Sequence, residues 1–597
     1  MDKSDYTAEF VKSKMPFFFA VAKRARSMDA LRERLAELAL QMEFDTMFDY
    51  REFDEGSIIR VRDCAHAFRS IIKKRSDDLS GFSVARALRD VAHNKARPDL
   101  TPAFWADVYH ILMGLSGEGK GRSPDDQYLA TTALSGREAA IKRSEDLDRL
   151  WAEKVQPRLD KFVSGLMEES VHRREARKEF LQEKLGATEE DWRDHRWQLK
   201  NIRRELAHLE GLVKLTDGEK EAIFAARENK LPFGVTPYYL SLMDDEPSDR
   251  DRAIRAQVFP PMSYVKRMKK AREAGEQSLD FMLESDTSPI DLITRRYPGI
   301  AIFKPFNACP QICVYCQRNW EIDGPMDPAA LAPPEKIDAA IKWIEEHGAL
   351  HEILVTGGDP LAMSTKRLGS ILKRLAKIDS VRFIRIGSRT PVTVPMRIDD
   401  ELADLLGSLS VPGRRKLDLV THIQHCYEVT PDTVEAVARL RARGVAIYNQ
   451  HVYTFYSSRR FENAALRDAL RLTGINPYYT FHTKGKEETY DYWVPLARLL
   501  QEQKEEARLL PGLSRQDEAV FNVPGLGKNY LRAAQHRDLI SIMPNGSRVY
   551  EFHPWEKNIS EEAHSYVGHD MPVLEYLERI EKVGEDPAEY ATIWYYY

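Results

Sequence analysis

The chain is 597 residues long, 43% hydrophobic and 30% charged, with a formal net charge of -5. That length is more than one hydrophobic core normally organises, so more than one domain is expected. Nothing in the overall charge suggests a polyanion-binding surface, and no apolar run reaches the ~20 residues of a membrane helix, so neither nucleic acid nor membrane is an expected partner. At the N-terminal end, Pro16-Phe-Phe-Phe-Ala-Val-Ala22 lies between Lys14 and Lys23. It is short for a signal core, and Asp2, Asp5 and Glu9 spoil the positive leader, so it reads as the start of a helix. Cys64 and Cys426 lie far apart in sequence, nothing marks them as a disulfide framework, and a reducing, cytoplasmic setting is expected.

The first third reads as helical. Leu31, Leu35, Leu38 and Met42 recur at helical spacing, as do Leu159, Phe162, Val163 and Leu166. The charged run 137–204 interleaves both signs and predicts solvated helix faces. Thr216-Asp-Gly-Glu219 has the form of a capping box. Gly114-Leu-Ser-Gly-Glu-Gly-Lys120-Gly121 mimics a phosphate-binding loop. Such a loop needs a preceding strand and a hydroxyl after the lysine, whereas here a helix-like run precedes it and Gly121 follows the lysine. It reads as a linker.

From residue 300 the pattern changes to short apolar strands alternating with amphipathic stretches such as 334–346 and 365–377. The expected strands are 300–303, 352–356, 382–387, 417–423, 445–450 and 477–481. Six such repeats predict parallel β/α units, with functional residues at the C-terminal strand ends. The marked residues fall there: a cysteine loop, Thr356-Gly-Gly-Asp359, Arg389, His422 with His425, Gln450 and Lys484.

The cysteine loop is Phe306-Asn-Ala-Cys-Pro-Gln-Ile-Cys-Val-Tyr-Cys-Gln-Arg318. Cys309, Cys313 and Cys316 can hold three irons of a 4Fe–4S cluster and leave the fourth open, whereas a closed cluster normally takes four cysteines. A structural zinc also wants four N/S ligands. The plain alternative is three buried structural thiols. Gly357-Gly358-Asp359 is by itself a turn signal. Pro524-Gly-Leu-Gly-Lys528 is either a surface turn or a lysine that joins covalently to pyridoxal phosphate (PLP), its ammonium pKa lowered by desolvation.

The loop resembles the radical S-adenosylmethionine (SAM) signature, with Tyr315 just before the last cysteine. Over roughly residues 192–552 the chain resembles the lysine 2,3-aminomutase family of radical SAM, PLP-dependent enzymes. The resemblance is carried by Trp197-Gln-Leu-Lys-Asn, Thr236-Pro-Tyr-Tyr-Leu-Ser-Leu, Asp286-Thr-Ser-Pro and Arg296-Tyr-Pro. It continues through the cysteine loop, Thr356-Gly-Gly-Asp-Pro-Leu, Ile384-Arg-Ile-Gly-Ser-Arg-Thr-Pro, Thr421-His, Asn449-Gln, Pro477-Tyr-Tyr and the turn before Lys528. It implies an α/β fold: a partial TIM-like radical SAM (β/α) barrel after a mostly helical N-terminal region. The expected divisions are a helical region of unassigned role at 1–190, a helical lead-in at 191–295, the barrel with its PLP site at 296–530, and a C-terminal hairpin and tail at 531–597.

The resemblance also implies roles. Cys309, Cys313 and Cys316 would bind a 4Fe–4S cluster whose open iron takes the amino and carboxylate groups of SAM. Gly357, Gly358, Asp359 and Tyr315 would serve the SAM site, Lys528 would carry PLP, and Arg296 and Gln450 would lie near the cofactor. Arg318 would clamp the substrate α-carboxylate in a charge-assisted pair. An electron donor such as flavodoxin or ferredoxin is an implied partner.

The departures from the pattern bear on the substrate. Lysine-specific members hold the distal ammonium with two aspartates, and here those positions carry Lys484 and Asn522. A lysine about 4 Å from an ammonium is repelled by about 4 kcal/mol at an effective dielectric of 20, whereas a γ-carboxylate is attracted. The same Lys and Asn pairing marks the glutamate 2,3-aminomutase branch; the alternative is that Lys484 points to solvent. An arginine common near the PLP phosphate is Ile300 here, and the glycine turn before Lys528 is one residue shorter. Cysteines that build a subunit-bridging zinc site in some relatives are missing, so no zinc is expected and the oligomeric state, a homo-oligomer included, stays open. The expected function is a 2,3-aminomutase moving an amino group from Cα to Cβ of glutamate or a similar acidic amino acid. The alternatives are the same chemistry on lysine, a radical SAM enzyme without PLP, and a non-catalytic iron–sulfur scaffold with a partner-binding N-terminal region.

Overall fold

The structure, a computed structural model, describes residues 5–48, 55–119, 134–275, 279–318, 320–322, 324–483, 486–524, 526–553 and 564–597. The chain divides into two compact units. Arg158–Tyr492 with Leu510–Val520 form one, and Met1–Pro157 with Trp493–Leu509 and Phe521–Tyr597 form the other.

The first of these is an α/β body built on parallel strands. β1 (Ile293–Tyr297) pairs antiparallel with β2 (Ile300–Phe306). β3 (Glu352–Gly357), β4 (Phe383–Gly387), β5 (Lys416–Thr421), β6 (Ala446–Tyr453) and β7 (Asn476–His482) follow it in chain order, each parallel to the last. The crossovers are helices, among them Pro334–Glu346, Thr365–Leu375, Asp400–Ser408, Pro431–Ala442 and Glu462–Thr473. Along each strand alternate residues face opposite ways. Ile353, Val355, Ile384, Ile386, Leu417, Leu419 and Ile447 form the core with Leu368, Leu372, Leu402, Leu406, Val437 and Leu440 of those helices. Leu354, Arg385, Asp418 and Tyr448 point the other way and are half-buried.

All six expected parallel strands form, and their ends shift for identifiable reasons. β5 stops at Thr421 rather than 423 because the Asn449 side chain replaces the ladder: Ile423 N–H donates to its Oδ1 at 2.7 Å, and its Nδ2 donates to the Ile423 carbonyl at 2.9 Å. The expected capping box at Thr216 is present, with Glu219 N–H donating to Thr216 Oγ1 and Thr216 N–H to the Glu219 carboxylate. The helical spacing read at 159–166 is overridden. A helix covers only Gln156–Asp160, after which Phe162 turns into the core and the Gly165 N–H bonds to the Cys426 carbonyl at 3.1 Å.

The second unit begins as helices, and no described helix of the chain is long and apolar enough to cross a membrane. Helix Pro16–Arg24 opens on a proline, whose missing N–H is unneeded in a first turn, and buries Phe18 and Phe19. Helix Pro102–Leu115 takes in Gly114 and Leu115, so the expected linker begins two residues late; Lys120 and Gly121 lie outside the described residues. Strands Arg537–Ile542, Arg548–Phe552 and Tyr566–His569 form an antiparallel sheet. The helices and this sheet are joined by a fully buried ion pair. Arg548 donates from Nη2 to Asp107 Oδ1 at 2.7 Å and from Nε to both carboxylate oxygens. Its other hydrogen bonds go to the Trp594 carbonyl at 2.8 Å and the Tyr596 carbonyl at 2.7 Å.

Breaking a buried pair from one side leaves an uncompensated charge. Arg548→Leu is expected to cost ~3–5 kcal/mol in denaturant unfolding followed by circular dichroism, and Asp107→Leu with Arg548→Leu to cost less than the single change. An unchanged midpoint in the single variant would contradict this account of the unit.

Candidate active site

The cysteine loop leaves the C-terminal end of β2 and is pinned by its backbone. Ile312 N–H donates to the Gly234 carbonyl, Val314 N–H to Gln257 and Met326 N–H to the Cys309 carbonyl, at 2.9 to 3.1 Å. Cys316 N–H closes a turn onto the Cys313 carbonyl at 3.1 Å. The C-terminal end of β3 lies directly against this loop. Gly358 N–H donates to the Phe306 carbonyl and Asp359 N–H to the Ala308 carbonyl, both at 2.8 Å.

That contact explains the two glycines. Gly357 has φ +119°, and a Cβ there would sit 2.5 Å from the Phe306 oxygen; at Gly358 a Cβ would sit 2.2 Å from the Ala308 oxygen. Only residues without a side chain permit the approach. Asp359 finishes the turn. Its buried carboxylate accepts from Leu361 N–H at 3.1 Å, Ser388 Oγ at 2.6 Å and Arg389 N–H at 2.9 Å. Burial pushes its pKa up against those donors. Its oxygens tie β3 to β4, so what this segment offers a ligand is its backbone.

None of the three loop thiols is in a disulfide. Burial pushes the Cys309 and Cys316 thiols up, and neighbouring negative groups, the other loop sulfurs among them, add to the shift. Ligation therefore has to displace protons. Among the described residues no three His, Cys, Asp or Glu side chains gather as tightly as one metal ion requires. A single tetrahedral ion draws its thiolates to about 3.8 Å of each other. An iron–sulfur cube instead carries each thiolate on its own corner, so an all-sulfur donor set on one short loop fits the cube.

Behind the loop stands Arg389, at the C-terminal end of β4. Its Nη1 donates to Cys313 Sγ at 2.8 Å and its Nε to the His422 carbonyl at 3.1 Å. Its Nη2 donates to Glu428 Oε1 at 2.6 Å, to Tyr239 Oη at 3.2 Å and to Gln257 Oε1. Tyr315 belongs to the same group: its hydroxyl donates to Gln257 Oε1 at 2.9 Å, and its ring meets Tyr492 edge-on at 5.8 Å. Burial and Arg389 push His422 down to about 4, and it bonds to the backbone of Gln450. Burial opposes a charge on His425, but Cys426 and Glu462 outweigh it and push that residue up to about 10. His425 and Glu462 form a separate buried pair at 3.4 Å.

Arg296 and Arg318 meet in a second cluster, around Glu284. Lys304 reaches Glu284 at 3.1 Å and Glu321 at 3.3 Å, while Arg296 and Arg318 lie 3.5 and 3.7 Å from Glu284. Arg318 also pairs with Glu321. Burial opposes the Glu284 carboxylate, yet Arg318, Lys304 and Arg296 hold it below the usual range. Among the described residues these three cations pair with two carboxylates, and the Asp280 carboxylate also acts on Arg296. The buried Arg318 Nε has no hydrogen-bond partner among the described residues, and Arg296 Nη2, which makes no hydrogen bond either, faces the Glu284 carboxylate at 3.5 Å. Such donors fit an anion, a carboxylate or a phosphate. Glu284, Lys304 and Glu321 were not legible as site residues, since no spacing signals them; Glu428 likewise shows only through its partners.

The structure thus brings together Cys309, Cys313, Cys316, Tyr315, Arg318, Gly357, Gly358 and Asp359, with His422 and Gln450 joined through Arg389. Lys528 and Asn522 belong to the other unit, Lys528 on β9 (Gly527–Tyr530) and Asn522 on β8 (Glu518–Val523). Lys484 lies outside the described residues.

A family model described as the Radical SAM superfamily matches residues 303–456, the stretch from β2 past β6. An uncharacterized KamA family protein of Methanocaldococcus jannaschii is 43% identical to this chain, over 98% of the chain and 97% of that protein. Glutamate 2,3-aminomutase of Clostridioides difficile is 33% identical over 60% of the chain and 79% of its own length. L-lysine 2,3-aminomutase of Fusobacterium nucleatum is 35% identical over 45% of the chain and 59% of its own length.

Gly358→Ala puts a methyl group into the Ala308 carbonyl and has to push the cysteine loop away. The variant is expected to fold, by circular dichroism, and to retain well under half of the wild-type iron and sulfide after anaerobic reconstitution. Full iron content would show that the close approach is not what sets the loop.

Proposed function

Since the chain belongs to the KamA family of radical SAM proteins, we propose that it is a radical SAM, PLP-dependent amino acid 2,3-aminomutase. The observation that carries the reading is the cysteine loop at the first parallel strand end, buttressed by Gly357 and Gly358. The cluster with SAM supplies a carbon radical and PLP supplies stabilisation of the migrating amino group; the protein supplies position and charge.

The residues divide that work. Cys309, Cys313 and Cys316 hold the cluster by three corners and leave one for the amino and carboxylate groups of SAM. The backbone of Gly357 and Gly358, held against the cysteine loop, would serve the SAM site. Tyr315 shields the loop. Arg318 and Arg296 present donors to anions, the substrate α-carboxylate and a cofactor phosphate respectively. Lys304, on the strand where the family's phosphate arginine is Ile300, adds a third cation to that cluster. Lys528 carries PLP, and Gln450 lies near the cofactor. A soluble electron donor such as flavodoxin or ferredoxin completes the system.

Lysine is the substrate the relatives favour, through the KamA name of the protein that matches nearly the whole chain and the lysine enzyme of Fusobacterium. A second reading, glutamate, rests on the sequence alone. Lys484 and Asn522 replace the two aspartates of lysine-specific members, and the Clostridioides relative is a glutamate enzyme. The expected outcome of product analysis, with anaerobically reconstituted protein and a panel of amino acids, is a β-amino acid from one of these two. Turnover of lysine alone rejects the charge argument at Lys484. Turnover of glutamate alone establishes it, and Lys484→Asp with Asn522→Asp should then move the ratio of kcat/KM toward lysine by at least tenfold. In either case Lys528→Ala should keep the cluster and lose the rearrangement. Turnover by that variant would sink the PLP assignment.

A further inference from the structure

Arg389 does more in this fold than its place at a strand end requires. Its guanidinium is held from behind by a carboxylate that is itself fully committed. Glu428 Oε1 accepts from Arg389 Nη2 at 2.6 Å, Tyr239 Oη at 2.6 Å and Gln257 Nε2 at 3.0 Å. Its Oε2 accepts the backbone N–H groups of Gln424 at 2.6 Å and His425 at 3.2 Å. Gln257 locks the arrangement, since its Oε1 takes both Arg389 and the Tyr315 hydroxyl. Glu428 is fully buried, and the Arg389 side chain is 10% exposed. A guanidinium fixed by so many contacts cannot swing away. The donor left facing the loop, Nη1, donates to Cys313 Sγ at 2.8 Å.

We propose that Arg389 is a positioning residue for the iron–sulfur cluster, a clamped cationic donor to the Cys313 sulfur that raises the reduction potential of the cluster. The inference rests on the cluster reading given above. Reduction adds negative charge to a cluster and its thiolates. A charge-assisted hydrogen bond on a ligand sulfur stabilises the reduced state more than the oxidised one, and hydrogen bonds to the sulfurs are among the main determinants of such potentials. Glu428 partly balances the guanidinium from the far side, but the N–H groups lie nearer to sulfur, so the sign is kept. The arrangement acts on one of the three cysteines, not on the loop as a whole. It would make a low-potential cluster easier to reduce by a soluble donor.

The test is the midpoint potential of the anaerobically reconstituted full chain, by redox titration followed by electron paramagnetic resonance, with iron and sulfide counted in every sample. Arg389→Gln with Glu428→Gln removes both charges and leaves no unpaired buried carboxylate. With iron content unchanged, it is expected to lower the ratio of reduced to oxidised cluster at a fixed potential at least tenfold, 59 mV for one electron. Arg389→Lys, which keeps the charge and loses the fork, should give a smaller fall. Gln257→Leu loosens the clamp without touching Cys313 and should shift the ratio in the same direction. An intact cluster with a potential unchanged in the double variant overturns the proposal. Loss of iron from both Arg389 variants overturns it as well, because the contact would then be needed for assembly rather than for tuning. If the wild type itself takes up no iron and sulfide, the cluster reading fails first, and the iron count separates that result from the others.

Discussion

The close approach of the β3 end to the cysteine loop is the constraint on which the rest of the site depends. Two backbone hydrogen bonds, from Gly358 and Asp359 to carbonyls of Phe306 and Ala308, fix the loop onto the sheet. Neither bond can form with a side chain at 358. The Asp359 carboxylate then carries the restraint to β4 through Ser388 and the Arg389 backbone. Three neighbouring strand ends are thereby locked as one unit. The thiols inherit their positions from that lock, and so does the guanidinium behind Cys313. A barrel mouth built in this way holds its ligands rigid before anything binds, which is what preorganisation requires.

Charge is distributed around that frame in two separate groups. One is balanced: Arg389 and Glu428, wrapped by Gln257, Tyr239 and Tyr315, each with its hydrogen bonds made. The other is not. Arg296, Lys304 and Arg318 crowd around Glu284 and Glu321, with Asp280 acting on Arg296, and two guanidinium nitrogens lack hydrogen bonds among the described residues. A satisfied buried network rigidifies, while an incomplete one is costly until a ligand completes it. The first therefore reads as part of the scaffold of the cysteine loop and the second as a receiving surface for anions.

Much of this was legible in the sequence because it is local. Short apolar runs, the amphipathic stretches between them and the Thr216 capping box all depend on residues a few positions apart, and each appears in the structure. The cysteine spacing and the Gly-Gly-Asp turn are local too, and each stands at the expected strand end. What escaped was set by contacts across long separations. The stretch 162–166 has helical spacing, yet the Cys426 carbonyl captures the Gly165 N–H and the helix does not continue. Glu284 and Glu428 are ordinary acidic residues in sequence, and only their cationic partners on other elements mark them. The same is true of Asn449, whose side chain ends β5 early.

The central claim is that the three loop cysteines hold a cluster with one iron open to SAM. The most direct measurement is electron paramagnetic resonance of the anaerobically reconstituted, reduced protein, recorded with and without SAM. The account predicts a 4Fe–4S signal that changes shape when SAM is added and is lost in Cys309→Ala, Cys313→Ala and Cys316→Ala. A signal indifferent to SAM, or one that survives in all three variants, would contradict it.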